Sequence, residues 1–390
     1  MQYNFDEINN RKVNFSCKYD ELKIKFGTDD LIPMWIADMD FKTAKPIIDA
    51  IINRAEQGIF GYVSRPDSYF ESACEWYKKK YGWDLKNEWI SHSHGVIPGM
   101  VMIIKEFTKP KDKIIIQSPV YNEFFEIVED HDRELVINPL KIINGHYEMD
   151  YNDLEEKAKA GAEMFFLCNP HNPVGRVWTK EELTKLGEIC MRYGIQVIAD
   201  EIHCELVYGN NKYTPFASIS KDFFKNSITC ISPSKTFNLA GLQSSILIFG
   251  NKEQHEIYNH LLQIQDIKRN NCFSLVATEA AYRDGEEWLK QLLVYLKDNL
   301  DFVNNYINLN IPKLKTYTPE GTYFAWIDCK GLEMNAKELE NFMINKVKVA
   351  FALGLWYGKE SGGYVRMNVA CPRSVVEQAL IRLKTAIDKL

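Results

Sequence analysis

The sequence predicts an α/β fold in which a large domain surrounds a mostly parallel sheet and a smaller α+β domain is attached to it. A length of 390 residues exceeds what one hydrophobic core usually organises, so two domains are expected. The middle of the chain contains short, near-continuous apolar runs, as expected for strands that are covered on both faces. Longer helix-like segments separate these runs, and this alternation is typical of a parallel sheet.

Five runs are the clearest candidates for the strands of this sheet. Each is short, rich in β-branched or aromatic residues and without polar alternation. They are Lys113–Gln117, Met164–Cys168, Gln196–Ala199, Ser227–Ile231 and Ser245–Phe249.

The segment Thr179–Tyr193 is the clearest helix between two of these strands. Thr179 is a good N-cap residue, and Glu182 follows it at the spacing of a capping box. Ligands of such folds bind beyond the carboxyl ends of the strands, which directs attention to the residues that follow each run.

The remainder of the chain has a different pattern, which predicts the smaller domain. We place the large domain at residues 46–288 and assign residues 1–45 and 289–390 to the smaller one. The predicted elements of the C-terminal part are a helix Leu289–Leu309, a strand Phe324–Asp328, a helix Ala336–Val347, a β-rich piece Tyr364–Val369 and a helix Val375–Leu390.

Composition excludes several classes of protein. The net charge of −6 argues against sequence-independent binding of nucleic acid. No apolar run approaches the roughly 18 residues of a membrane span, and the N-terminus lacks the pattern of a secretory signal. The nine cysteines are scattered singly, and His92 and His94 lack helical metal-ligand spacing, so we predict no disulfide framework and no metal site. A cytoplasmic protein is expected.

Lys235 lies between two of the predicted strands, in a segment that we expect to be a loop. A lysine held at a strand end can be desolvated there and can form a Schiff base with a carbonyl cofactor. Pyridoxal phosphate (PLP) is the commonest such cofactor. The alternative is a surface lysine in a polar loop.

Asp200 closes one of the apolar runs, where an unpaired carboxylate would be costly. A protonated pyridine nitrogen is a partner that would explain it, because the ion pair keeps the ring cationic. Capping of the next helix is the alternative. His203 either faces the same ligand or is a satisfied core histidine.

Asn172 lies in a turn with two Asn-Pro pairs and a glycine, which favours a rigid, non-helical backbone. Its amide can donate to a phenolic oxygen. The alternative is an asparagine that serves its own turn.

A glycine-led helix start at Gly95, Val96 and Ile97 is a candidate phosphate site, opening an apolar helix predicted at Met100–Phe107. Free backbone N–H groups and the helix dipole both favour an anion there. The hydroxyl groups of Ser232 and Ser234 are candidate donors to the same phosphate.

Two further residues complete the candidate site. Tyr121 follows a strand and can stack on a flat heteroaromatic ring, although most tyrosines are structural. Arg366 lies in a β-rich run, where it can hold a substrate α-carboxylate bidentately. An exposed arginine, or one paired with a protein carboxylate, is the alternative.

Taken in chain order, these residues resemble the site of the fold-type I PLP enzymes, the aspartate-aminotransferase superfamily. Within it, the chain most resembles the cystathionine β-lyase type C–S lyases of the class-II aminotransferase group. The resemblance covers nearly the whole chain. The segments that carry it are Trp35–Phe41, Phe60–Tyr62, Cys168–Trp178, Ala199–His203 and Ser234–Leu242.

The resemblance implies a large domain with a mostly parallel seven-stranded sheet and a homodimer with shared active sites. Tyr62 would then reach the cofactor phosphate of the neighbouring subunit and count among the catalytic residues with Lys235 and Tyr121. Asn172 would help Arg366 to hold the substrate carboxylate. The implied reaction cleaves cystathionine or related cysteine S-conjugates, which are small sulfur amino acids, to a thiol, pyruvate and ammonia. An aminotransferase of the same fold and a regulatory binding protein are the alternatives.

One position departs from the wider superfamily. Many aminotransferases carry an arginine eight residues after the lysine, where it holds the phosphate, and here that residue is Gln243. The phosphate would therefore lose a bidentate cationic clamp. The resemblance suggests that this glutamine is usual among the C–S lyases, which weighs against a standard aminotransferase.

Overall fold

The computed structural model describes residues 1–12 and 14–390, which form two main sheets flanked by helices. The strands are β1 Ile32–Met34, β2 Ile90–Ser93, β3 Lys113–Ile116, β4 Glu134–Ile137, β5 Lys141–Ile143, β6 His146–Glu148, β7 Ala162–Cys168, β8 Gln196–Asp200, β9 Ser227–Ile231, β10 Ser245–Phe249, β11 Lys315–Thr316, β12 Phe324–Asp328, β13 Val349–Leu353 and β14 Tyr364–Asn368. The helices are α1 Cys17–Asp20, α2 Leu22–Phe26, α3 Lys45–Glu56, α4 Asp67–Tyr81, α5 Val96–Phe107, α6 Glu123–Glu129, α7 Tyr151–Lys159, α8 Lys180–Tyr193, α9 Lys221–Lys225, α10 Pro233–Thr236, α11 Lys252–Ile264, α12 Cys272–Asp284, α13 Glu286–Asn310, α14 Ala336–Phe342 and α15 Arg373–Ile387.

The larger sheet has seven strands in the order β2-β10-β9-β8-β7-β3-β4. Strands β4, β3, β7, β8 and β9 pair in parallel, and β10 is antiparallel to both of its neighbours. Strands β9 and β10 are buried along their whole length, as their unbroken apolar runs predict. The mostly parallel seven-stranded sheet is therefore confirmed.

The second sheet has five strands in the order β1-β13-β14-β12-β11. Strand β1, from the N-terminal segment, pairs in parallel with β13, and the other pairs are antiparallel. This pairing attaches the N-terminal residues to the C-terminal part of the chain, in agreement with the smaller domain expected from the sequence. The domain boundaries themselves stay a prediction.

The helices follow the expected pattern with shifted ends. Helix α8 begins after Thr179, and both hydrogen bonds of its capping box with Glu182 are present. Helix α5 begins at Val96, earlier than the predicted Met100, because Gly95 is already its N-cap residue. The segment predicted as one helix to Val347 is divided between α14 and a π-helical turn, Met343–Val347.

The segment around Lys235 differs from the predicted loop. It forms the one-turn helix α10, in which Pro233 occupies the first turn and the Ser232 hydroxyl accepts a hydrogen bond from the Ser234 N–H group. Proline fits the first helical turn because its missing N–H group has no partner there in any case. Lys235 is consequently held by regular backbone directly after β9.

Within residues 1–12 and 14–390, none of the helices has both the length and the apolar character that a bilayer crossing requires.

Candidate active site

A cavity of about 190 Å³ lies beyond the carboxyl ends of the central parallel strands, beside the N-terminus of α5. Most of the residues singled out in the sequence line it. They are Gly95, Val96, Ile97, Tyr121, Asn172, Asp200, His203, Ser234 and Lys235. The position agrees with the rule that parallel α/β sheets bind ligands at this edge.

Lys235 projects from α10 into this cavity, and its Nζ donates a hydrogen bond of 2.8 Å to the Ala37 carbonyl oxygen. Burial, assisted by the charge of Arg366 and opposed by the charges of Asp38 and Asp200, lowers the pKa of Lys235 to about 8. An amine with this pKa is partly neutral near physiological pH and can act as a nucleophile.

Asp200 closes β8 and is buried, and its Oδ1 accepts a 3.1 Å hydrogen bond from the Ile202 N–H group. Burial raises the pKa of the Asp200 carboxyl to about 7. A cationic ligand atom beside this carboxyl would favour its ionised form, as the expected pyridine nitrogen would.

His203 is buried beside the same cavity, and burial lowers its pKa well below the usual value. Its ring packs edge-on against Phe324, with the ring centres 5.7 Å apart. Among the described residues, Nδ1 has no hydrogen-bond partner. An unpartnered buried nitrogen at a cavity wall fits a polar ligand atom.

Arg366 lies in β14 with only 3% of its surface exposed. Its Nη1 donates to Asn172 Oδ1 over 2.9 Å, its Nη2 donates to the Trp35 carbonyl over 2.6 Å, and Phe324 packs 3.9 Å beneath the guanidinium. In the part of the chain that the structure describes, no carboxylate pairs with it, and Nε has no partner. A buried cation of this kind requires an anionic ligand.

The helix start that the sequence predicts as a phosphate site lies at the wall of the small cavity, where α5 begins. The twelve-residue helix begins after Gly95 with no side-chain cap, so its first N–H groups remain available to a ligand. Ser234, Ser244 and Ser245 line the cavity near it.

Ser232 differs from the other expected phosphate-binding residues in its position. Ser232 is not part of the cavity lining, because its hydroxyl donates to the Ser244 carbonyl over 2.7 Å and accepts from the Ser234 N–H group. It therefore stabilises the backbone around Lys235, and its role as a phosphate donor stays a prediction.

Tyr62 is a further expected site residue that the structure does not bring to this cavity. Its side chain is 97% exposed, and the guanidinium of Arg269 lies over its ring at 5.3 Å. It lines neither the small cavity nor the larger cleft beside it.

A larger cleft of about 810 Å³ adjoins the small cavity, and both are lined by Ala37, Tyr121 and Lys235. Arg366 lies on the side of the larger cleft, together with the aromatic side chains of Trp35 and Trp356. Lys235 thus stands between a cavity with the expected cofactor-binding residues and a cleft with the expected carboxylate-binding residue.

Ala37 is a site residue that sequence reasoning missed as an individual contact. Its carbonyl oxygen accepts from Lys235 Nζ and, over 3.0 Å, from the Tyr323 hydroxyl. Asn368 donates to the carbonyls of Ile36 and Asp38 on either side of it, both over 2.6 Å. The sequence marked this region only through the resemblance of the whole segment Trp35–Phe41. A backbone carbonyl can accept a hydrogen bond in any residue, so the type of residue at position 37 does not reveal the contact.

The arrangement fits PLP on four independent grounds. Asp200 suits a pyridinium nitrogen, and the free Nδ1 of His203 and the amide of Asn172 suit a polar ring substituent. The start of α5 suits a phosphate, and Lys235 suits an aldehyde carbon.

Comparison with known proteins agrees with this geometry. Residues 29–383 match the family model described as aminotransferase class I and II. Cystathionine beta-lyase PatB of Bacillus subtilis is 38% identical over 386 residues, which cover 99% of this chain and 100% of PatB.

Two solved structures have the same fold over almost the entire chain. A PLP-bound structure from Clostridium difficile 630, whose description as an aminotransferase is provisional, superposes with a TM-score of 0.98 at 52% identity, covering 99% of this chain and 100% of that one. The PLP-bound C-S lyase from Staphylococcus hominis has a TM-score of 0.93 at 33% identity and covers 99% of this chain and 98% of its own. Fold, site geometry and whole-length similarity lead to one conclusion: the chain belongs to the aminotransferase class I and II family and has the fold-type I architecture of PLP enzymes.

Proposed function

We propose that the protein is a PLP-dependent carbon–sulfur β-lyase that cleaves cystathionine or related cysteine S-conjugates to a thiol, pyruvate and ammonia. The observation that carries the proposal is the position of Lys235 between the small cavity and the cleft that contains Arg366. The whole-length similarity to a cystathionine β-lyase supports a lyase in preference to an aminotransferase.

The cofactor would be held by residues of the small cavity. Lys235 would bond to its aldehyde carbon, Asp200 would pair with the ring nitrogen, and the start of α5 would receive the phosphate. Tyr121 would stack on the ring, and Asn172 and His203 would face its phenolic oxygen. When bound, PLP supplies an electron-withdrawing ring that stabilises negative charge at the substrate Cα.

Arg366 would fix the substrate by its α-carboxylate. Its guanidinium is already oriented by Asn172 and Trp35, so little further ordering is needed on binding. The carboxylate would replace the missing anionic partner of this buried cation.

Lys235 would move the protons of the reaction. Once the substrate amino group has replaced it at the aldehyde carbon, the freed Lys235 would take the proton from Cα as a neutral amine, which is consistent with the lowered pKa of about 8. The electron pair of the broken Cα–H bond then forms a Cα=Cβ double bond as the Cβ–S bond breaks, and the sulfur leaves as a thiolate that is protonated to the thiol. The released enamine reacts with one water molecule to give pyruvate and ammonia.

Two further parts of the proposal concern the assembled protein. We infer a homodimer in which Tyr62 enters the neighbouring site, which is supported by its 97% exposure and its absence from the site of its own chain. A cytoplasmic location is supported by the nine unpaired cysteines.

An aminotransferase is the second candidate, because it would use the same residues up to loss of the Cα proton. Gln243 at the phosphate end of the cavity, where many aminotransferases carry arginine, favours the lyase.

The test is to incubate the purified protein, loaded with PLP, with cystathionine in the presence and absence of a 2-oxo acid. The proposal predicts pyruvate and a thiol without any oxo acid. A strict requirement for the oxo acid, with no thiol released, would establish transamination instead.

A further inference from the structure

The phosphate end of the small cavity lacks positive charge. Of the described residues that line this cavity, Lys235 is the single lysine or arginine, and Asp200 is acidic. A phosphate monoester carries a charge of about −1.5 to −2 at neutral pH. Gln243, which lines this end, offers only a neutral amide. Since Lys235 would be bonded to the aldehyde carbon, the phosphate is left with helix dipole and hydroxyl donors.

Surplus positive charge is found on an exposed surface of the same chain, which we call the cationic patch. It is a shallow depression lined by Tyr62, Val63, Ser64, Arg65, Lys268 and Arg269. No acidic residue is among them.

Within the cationic patch, Arg269 is the side chain best placed to act on a ligand. Arg65 is occupied, because it donates to the Asn270 side chain over 2.8 Å and to the Lys268 carbonyl over 2.9 Å. Arg269 lies over the Tyr62 ring, and its ion pair with Asp266 is long, at 3.5 Å, between side chains that are 44% and 84% exposed. Such a pair contributes little, so the guanidinium remains available.

The surroundings of the cationic patch favour a protein partner. Ile59 and Phe60 are 75% and 59% exposed directly beside Tyr62, which is itself 97% exposed. Contiguous apolar and aromatic side chains that face solvent mark interaction surfaces.

The location of the cationic patch favours a second copy of this chain. Asn270, which Arg65 holds, contacts His92 Nδ1 over 2.9 Å, and His92 belongs to β2, the strand that leads into Gly95. The patch therefore lies close to the rim of its own phosphate cradle without lining the cavity. A twofold axis that passes between patch and cradle would place each patch over the cradle of the other copy.

We propose that a second copy of this chain docks through this surface and that Arg269 of the partner subunit supplies the cationic charge that Gln243 does not provide to the cofactor phosphate. The inference rests on the proposed PLP site. It adds a phosphate-binding residue that acts between subunits.

The first test compares PLP with pyridoxal, which lacks the phosphate. Dissociation constants for both are measured on the wild-type protein, on Arg269→Gln and on the control Arg192→Gln, an exposed arginine paired with Glu155 on another part of the surface. We expect Arg269→Gln to weaken PLP binding about tenfold and to leave pyridoxal binding unchanged. Arg269→Lys should recover most of the affinity, and Arg192→Gln should match the wild type.

Equal PLP affinity in the wild type and Arg269→Gln would overturn the inference, as would an equal loss for PLP and pyridoxal. In both cases the proposed function would stand, because the wild-type protein binds PLP. A wild-type protein without affinity for PLP would overturn both.

The second test asks whether Arg269 acts within or between subunits. Lys235→Ala and Arg269→Gln chains are unfolded and refolded together, and lyase activity is measured at a PLP concentration that fills wild-type sites but not Arg269→Gln sites. A mixed dimer contains one site with Lys235 from one chain and Arg269 from the other. Equal mixing should restore about a quarter of the wild-type activity, since half of the dimers are mixed and each has one intact site. No restoration would overturn the arrangement between subunits.

Discussion

Arg366 and Asn172 are joined by a 2.9 Å hydrogen bond from Nη1 to Oδ1, although 194 residues separate them in the chain. The bond connects a strand of the five-stranded sheet to the turn that follows β7 of the seven-stranded sheet. It orients the guanidinium toward the cleft and leaves the Asn172 amide N–H group for the small cavity. One contact thus positions both the residue proposed to bind the substrate carboxylate and the residue proposed to face the cofactor ring.

The first prediction concerns this guanidinium. Arg366→Lys keeps the charge but removes the planar fork, so the α-carboxylate loses a bidentate contact. We expect kcat/KM for cystathionine to fall about a hundredfold, corresponding to the roughly 2–3 kcal/mol of a charged hydrogen-bond pair, mostly through KM. Steady-state kinetics would check this, with Arg192→Lys as the control. An unchanged KM would show that the carboxylate binds elsewhere.

Several parts of the fold could be predicted from the sequence because local sequence patterns determine them. Strands β9 and β10 have the predicted bounds because each is an unbroken apolar run, and Thr179 with Glu182 marks the start of α8. Strand β1, which has only three residues and contains Pro33, carries no such signal and is defined by its pairing with β13.

The sequence predicted those site residues whose side-chain chemistry indicates a role. It did not predict contacts that depend on the three-dimensional arrangement of the backbone. Lys235, Asp200 and Asn172 meet in one cavity, as their positions after strands predict. The Ala37 carbonyl is a backbone acceptor, and the role of Ser232 depends on a turn that was expected to be a loop. Such contacts arise from tertiary structure and have no local sequence pattern.

The second prediction concerns the pH dependence of cofactor attachment. Only the neutral amine of Lys235 can attack an aldehyde, and burial lowers its pKa from the usual 10.5 to about 8. The rate at which the cofactor-free protein takes up PLP should therefore rise about tenfold per pH unit below pH 8 and level off above it. Stopped-flow absorbance would measure the profile. A rate that still rises steeply at pH 10 would indicate a lysine with an ordinary pKa.

The third prediction concerns the stability of the cofactor-free protein. Burial raises the pKa of Asp200 from 3.8 to about 7, so the native state must ionise a buried carboxyl when the pH exceeds 7. Because the pKa is raised in the native state, ionisation of Asp200 lowers the free energy of unfolding. This loss of stability is absent below the unfolded-state pKa, grows as the pH rises from about 4 to 7, and is complete above 7. Asp200→Asn should consequently raise Tm relative to the wild type at pH 8 more than at pH 5.

Differential scanning calorimetry of the cofactor-free proteins at both pH values would measure this difference, with the exposed Asp222→Asn as the control. The same Asp200→Asn substitution should lower kcat of the PLP-loaded protein, because the ring loses its anionic partner. A Tm difference that is the same at pH 5 and pH 8 would argue against the raised pKa.

The fourth prediction concerns Gln243. Gln243→Arg would add a cation at the phosphate end of the cavity, and we expect the dissociation constant of PLP to fall about tenfold. Glutamine already adopts the φ of +50° at this position, and arginine has the same unbranched Cβ and Cγ, so little change in Tm should accompany the substitution. Gln378→Arg, on the exposed face of α15, is the control. Unaltered PLP affinity in Gln243→Arg would place the phosphate away from this side chain.

The most direct measurement is made on Lys235→Ala, with Lys252→Ala, a lysine that is 88% exposed on α11, as the control. Both proteins are incubated with PLP and then with cystathionine, and the imine absorbance band and the release of pyruvate are recorded. We expect Lys235→Ala to remain folded but to lose both the band and pyruvate release, while Lys252→Ala keeps both. Full pyruvate release by Lys235→Ala would contradict the proposed role of this lysine.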